Sequence, residues 1–107
     1  MSDVTLDDFA AAHSTGAAQV IDVREPAEYT AGHVPGAASI PMGQLPDRLA
    51  EIDRSKPVFL ICQSGGRSAA MTDVLLHHGY DAHTVIGGTN AWTTAGRPVD
   101  TGAPKTT

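Results

Sequence analysis

The sequence predicts an α/β domain with a mainly parallel sheet. Short runs rich in β-branched and aromatic residues alternate with segments whose apolar residues recur at helical spacing. The most apolar run, Val58-Phe-Leu-Ile61, leads directly into the only cysteine, Cys62, and then into two glycines and a new helical pattern. At 107 residues the chain suits one domain. Its 41% hydrophobic and 18% charged residues can supply one core without disulfide or metal staples.

In chain order, Thr5-Leu-Asp-Asp8 has the form of a capping box, with Asp8 where Glu or Gln is usual. Leu6, Phe9 and Ala10 then give a short helix that Gly16 stops. Residues 18–24 read as a strand ended by Glu25-Pro26, and Pro26 suits the first turn of a helix over 27–31 closed by Gly32. Pro35-Gly36 is a turn, and residues 38–40 form a short strand stopped by Pro41. Pro46 opens a helix with Leu45, Leu49 and Ile52 on one side. After the Cys62 loop, Ala70, Met71, Val74, Leu75 and His78 recur at helical spacing, capped by Gly79. Residues 80–86 read as a further strand, and Gly87-Gly88 turns the chain into a last short helix around Trp92. From Gly96 the chain is polar and broken by prolines. The domain is therefore expected over 4–99, with 100–107 a loosely held tail.

Composition excludes several function classes. The net charge is −5 and no basic run occurs, which argues against a nucleic-acid or anionic-membrane partner. A single cysteine excludes an internal disulfide, a Cys-x-x-Cys redox pair and a cysteine-rich zinc site. His77 and His78 are adjacent, so on a helix they point about 100° apart and no metal site is expected. The N-terminus lacks a basic region followed by an apolar run, and no apolar stretch approaches the roughly 20 residues that span a bilayer. A cytoplasmic location is expected, where a free thiol stays reduced.

The chemistry points to residues 62–68, Cys-Gln-Ser-Gly-Gly-Arg-Ser. A thiol between a strand end and a helix start meets unpaired backbone N–H groups and the positive end of the helix dipole. Both favour the thiolate, which is the nucleophile. Gly65 and Gly66 permit φ > 0, so the loop is expected to fold its amides inward around an anion. Arg67 would add a fixed cationic fork at the rim. Two conditions follow: the sulfur must be reachable from solvent, and the neighbouring amides must face it. In parallel sheets ligands bind beyond the carboxyl ends of strands, where Arg24 and Gly87-Gly88 also fall.

Four stretches in order, Ile21-Asp-Val-Arg24-Glu25 with Tyr29, Gly32-His-Val-Pro-Gly-Ala37 with Ile40-Pro41, the 62–68 loop, and Gly87-Gly88 with Ala91-Trp92, resemble the rhodanese domain, the sulfurtransferase module. The resemblance covers roughly Val4 to Val99. It implies a three-layer fold in which a parallel five-stranded sheet is flanked by helices, and it implies sulfur relay without a cofactor. Cys62 would attack the outer sulfur of a small anionic donor (thiosulfate, a persulfide or a polysulfide) and become a persulfide. A thiol or cyanide acceptor, or a protein acceptor, would then take that sulfur. Gln63, Ser64, Gly65, Gly66, Arg67 and Ser68 would hold the persulfide, with Arg67 positioning the donor. Arg24 is a candidate second cation facing substrate. Asp22 is expected as a structural partner at the sheet end, His33 as a loop hydrogen-bonder rather than an acid or base, and Trp92 as packing.

Two other readings fit parts of the pattern. A cysteine phosphatase or arsenate reductase also uses a cysteine–arginine loop, but one residue longer between the two than the four that intervene here, leaving a wider cradle than this loop offers. A persulfide carrier or binding module that works only when docked to a protein partner is compatible with every residue of the loop.

Overall fold

Along the chain, the computed structural model, which describes residues 3–16 and 18–103, contains β1 (Asp3–Val4), α1 (Leu6–Ser14), β2 (Gln19–Asp22), α2 (Pro26–Ala31) and β3 (Ala38–Ser39). Two 3-10 turns (Leu45–Asp47 and Leu49–Glu51), β4 (Val58–Ile61), α3 (Gly66–His77), β5 (Ala82–Val85) and α4 (Gly88–Thr94) follow. The five strands form one parallel sheet in the order β1-β5-β4-β2-β3. This is the α/β architecture that the alternation of strand and helix signals predicts. Its first strand, β1, spans two residues, too short to show any periodicity in the sequence.

Side-chain alternation along the strands assigns the two faces. Val58, Leu60 and Cys62 point to one side, with Ile21, Val23 and Ala82. There they meet Met71 and Leu75 of α3 and Leu45 and Ile52 of the 3-10 turns. Val20, Ile61 and Val85 point to the other side, against Phe9 of α1, Tyr29 of α2 and Trp92 of α4. The result is three layers with the sheet in the middle. The buried stripe of α3 is Ser68, Met71, Thr72 and Leu75, at i, i+3, i+4 and i+7. It is rotated from the expected stripe: Ala70 and His78 are exposed, and two hydroxyl residues occupy the apolar face.

The helix expected from Pro46 is instead two 3-10 turns. Arg48, at φ −121° and ψ 21°, leaves the helical region between them. Each turn closes through i→i+3 bonds, Arg48 N–H to the Leu45 carbonyl and Ile52 N–H to that of Leu49. Leu45 and Ile52 still reach the core on the predicted side.

The segment after Gly96 returns over the molecule. Trp92 Nε1 donates to the Pro98 carbonyl at 2.7 Å. His33 and Asp100 exchange both backbone bonds at 2.9 Å, and Gly102 N–H donates to the Thr30 carbonyl at 2.9 Å. The stretch expected to be loose is thus tied to the loop after α2 as far as Gly102. Residues 104–107 lie outside the described residues. Among the described residues no helix is long and apolar enough to cross a membrane.

Candidate active site at the carboxyl ends of the strands

Because the sheet is parallel, β2, β4 and β5 end on the same edge. The register pairs Asp22 with Ile61 and Leu60 with Thr84. Cys62 therefore emerges beside the end of β2 and beneath the N-terminus of α3. The Gly65 N–H lies 3.0 Å from its Sγ. The amides of Ser64 and Ser68 and the Ser68 hydroxyl also favour the charged form of the sulfur. Burial pushes the Cys62 pKa up. The Ser68 hydroxyl and the amides of Ser68, Gly65 and Ser64 together outweigh burial and hold the thiol below its ordinary value.

Of the two conditions set by the sequence, the amides meet theirs. The sulfur itself is covered: Cys62 is 1% exposed and packs into the core on the α3 side. The reason is the period-two alternation, which turns Cys62, two residues after Leu60, inward under α3 rather than out along the strand axis.

The loop's shape is imposed by α4. The Thr89 N–H donates to the Cys62 carbonyl at 2.8 Å, and the Asn90 N–H to the Gln63 carbonyl at 3.0 Å. In a trans peptide the C=O and the following N–H point oppositely. Holding the Gln63 carbonyl on α4 therefore turns the Ser64 N–H away from α4, toward the sulfur. A Cβ on Gly88, at φ +57°, would overlap the carbonyl oxygens of Cys62 and Gln63. Glycine there lets α4 approach closely enough to make the two bonds. On the other side Gly65 takes φ +120°, open only to glycine, which turns the chain into α3. Gly66 does not need that freedom: it is the first residue of α3 with an ordinary negative φ, and a Cβ there meets nothing within 4 Å.

Both candidate cations are already engaged. Arg24 is 3% exposed, and its Nε, Nη1 and Nη2 all donate within the protein. Nε bonds both Asp22 carboxylate oxygens at 3.0 and 3.1 Å, and Nη2 bonds Asp22 Oδ2 and the Gly32 carbonyl at 2.7 Å each. Nη1 bonds Gln63 Oε1 at 2.9 Å. The expected substrate-facing role for Arg24 is corrected. The Asp22–Arg24 pair is a buried strut that joins the end of β2 to the cysteine loop and to the loop after α2. Asp22 has the structural place expected of it and also accepts from the Arg24 N–H at 3.0 Å. The Gln63 side chain, held by Arg24 and by Asn90 Oδ1, braces the loop from outside.

Arg67 forks onto Glu28 of α2, Nη1 to Oε1 at 2.7 Å and Nη2 to Oε2 at 2.8 Å. Arg67 is 35% and Glu28 33% exposed. The guanidinium holds the Glu28 carboxyl well down, to about 2, against a smaller opposing push from burial. The Glu28 carboxylate, and to a smaller extent the Cys62 charge, raise the Arg67 pKa, and the guanidinium is half of an ion pair. His33 is buried away from this chemistry. Its Nδ1 bonds the Tyr29 carbonyl at 2.8 Å and its ring stacks on Tyr29 at 3.7 Å between centroids.

Three site residues carry no signal in the motif reading: Glu28, Thr84 and Asn90. Thr84 was legible. Two residues after Ala82 on a period-two strand, it faces α3, where its Oγ1 meets Ser68 Oγ at 2.7 Å. The Ser68 hydroxyl also donates to the Gly65 carbonyl at 3.2 Å, which ties the cysteine loop to the first turn of α3. Glu28 and Asn90 act across elements, and spacing along one element does not reveal that. Among the described residues no group of histidine, cysteine and carboxylate side chains is arranged to hold a metal ion, and His77 and His78 are both exposed.

Comparison with known proteins agrees with this geometry. The Rhodanese-like domain family model matches residues 5–95. YqhL of Bacillus subtilis is 40% identical over 93 residues, which are 86% of this chain and 72% of YqhL. A protein of Allochromatium vinosum named Sulfurtransferase is 36% identical over 81 residues, 75% of this chain and 76% of that protein. Among solved structures, a rhodanese-related protein from Thermoplasma volcanium superposes with a TM-score of 0.86 at 31% identity, covering 94% of this chain and 98% of that one. A thiosulfate sulfurtransferase from Pseudomonas aeruginosa gives 0.88 at 28% identity over 98% of this chain, which spans only 21% of that larger protein. Parallel sheet, amide-cradled cysteine and family match together place this chain in the rhodanese-like domain family of sulfurtransferases.

Proposed function

We propose that the protein moves a sulfane sulfur from a donor such as thiosulfate to a thiophilic acceptor through a persulfide on Cys62. The observation that supports this most directly is the Gly65 N–H aimed at the Cys62 sulfur at 3.0 Å, at the start of α3, with Ser64 and Ser68 also favouring the charged form. In the first step the Cys62 thiolate attacks the donor's outer sulfur. A new S–S bond forms on Cys62, the donor's S–S bond breaks, and its electron pair leaves with sulfite or, from a persulfide, with a thiolate. In the second step a thiolate or cyanide attacks the outer sulfur of the Cys62 persulfide, and Cys62 departs as thiolate. Charge stays on sulfur throughout, so amides already aimed at the sulfur stabilise each state without reorganising. No second cysteine stands by to resolve the persulfide as a disulfide. The covered sulfur adds one requirement: the rim of residues 63–67 must yield for the donor to enter.

The alternative within this chemistry is a persulfide carrier that gives its sulfur only to a docked protein thiol. A cytoplasmic setting belongs to the same proposal, since it keeps Cys62 reduced between turnovers.

Mass spectrometry of the protein after incubation with thiosulfate tests the proposal. The expected result is one added sulfur atom, released by cyanide as thiocyanate and absent in Cys62→Ser. Loading of Cys62→Ser, or no loading of the wild type by thiosulfate, a persulfide or a polysulfide, overturns it. Rapid transfer to a protein thiol with little to cyanide identifies the carrier.

A further inference from the structure

We infer that Glu28 selects donors by charge, by occupying the guanidinium that a doubly charged donor needs. The inference rests on the persulfide reading of Cys62 and concerns what reaches that sulfur.

The charges around Cys62 come in closed pairs. Asp22 cancels Arg24 within the buried strut, at 2.7 Å. Glu28 cancels Arg67 through a two-bond fork at 2.7 and 2.8 Å. These two pairs then supply no net positive charge to offset the thiolate, in a chain of net charge −5. Thiosulfate arrives with two negative charges, so its approach is opposed by the thiolate and unassisted by Arg67. A donor with the same reacting sulfur but one charge fewer meets less opposition.

Glu28 is placed for this role by its own helix. It is the third residue of α2, where its Oε1 also accepts from the Glu25 N–H at 3.1 Å. The carboxylate is thus anchored on one side and forked on the other. The Arg67 guanidinium keeps it ionised far below neutral pH, so ordinary changes of pH do not open the pair. The pair is one-third exposed, and its strength falls with salt. Arg67 is carried on the first turn of α3, one residue before Ser68, whose amide holds the sulfur. Freeing Arg67 would therefore put a positive charge at the mouth of the amide cradle without moving the cradle itself.

The test compares thiosulfate with methanethiosulfonate, which offers the same terminal sulfur on a singly charged ion. The rate of sulfur loading on Cys62 is measured for the wild type, Glu28→Gln and Glu28→Ala, with circular dichroism confirming that each is folded. Glutamine can still accept from the Glu25 amide, so Glu28→Gln removes the charge and retains the cap. The wild type is expected to load faster from methanethiosulfonate than from thiosulfate. Both variants are expected to raise kcat/KM for thiosulfate about tenfold, and that for methanethiosulfonate by a clearly smaller factor. A ratio between the two donors that is unchanged in both variants overturns the selector role while leaving sulfur transfer intact. Absence of loading from every donor in every variant instead overturns the transfer reading beneath it.

Discussion

At the scale of single residues, the site is a balance struck at one sulfur. Burial alone would make Cys62 an inert core thiol. Ser64, Gly65 and Ser68 reverse that outcome by aiming donors at it. The alkylation rate of Cys62 as a function of pH should therefore give a pKa below the ordinary thiol value of about 8.5. Ser68→Ala removes a hydroxyl that helps to lower it and leaves the Ser68 amide in place, so the measured value should rise in that variant. A wild-type value at or above the ordinary one would mean that burial wins. The residue scale is also where motif reading misjudged roles. Arg24 and Arg67 were legible as positively charged groups near the thiol. Their partners, Asp22 two residues away and Glu28 on another helix, decide whether that charge is free.

At the scale of elements, β4 delivers the sulfur, α3 supplies the amides and α4 fixes the loop between them. Thr89 and Asn90 hold the two loop carbonyls, and Gly88 makes room for that contact. Gly88→Ala should cost about 2 kcal/mol or more in stability, from an unfavourable φ and a collision with loop carbonyls, and should slow sulfur loading. Gly66→Ala is its control in the same loop. It has space and a helical φ, so it should raise stability by about 0.5 kcal/mol. Urea unfolding of both variants checks the pair of signs, and a destabilised Gly66→Ala would show that the loop needs both glycines. The strands and helices themselves were largely legible, because long apolar periodicities leave little choice. β1 was not, because two residues carry no period. The 3-10 turns were misread as one helix because the spacing of Leu45, Leu49 and Ile52 suits either.

At the scale of the molecule, ionisation of the site is linked to folding. The folded Cys62 pKa lies below its unfolded value. Stability from the thiolate is then fully present above the unfolded value and is lost as pH falls through the folded one. Glu28, held at about 2, follows the same sign in the acid range: its contribution is present above the ordinary carboxyl value and fades as pH falls toward 2. Melting temperatures of wild type and Cys62→Ser measured from pH 6 to pH 10 isolate the first effect. The wild type should gain on the variant as pH rises, and a constant difference would show that Cys62 titrates alike in both states. The fold thus stores part of its stability in the charge that the proposed chemistry would use.

By itself, the sequence determined the architecture and the candidate nucleophile. Period-two and helical patterns are written in consecutive residues, and one cysteine before Gly65 and Gly66 leaves no competing thiol. Only the tertiary structure decided how covered the sulfur is, which amides face it, and which cations are free. Those properties depend on α2, α4 and β5 meeting the loop in space. Coulomb and hydrogen-bond energies act over a few ångströms between residues such as Glu28 and Arg67, whose positions along the chain say nothing of that distance.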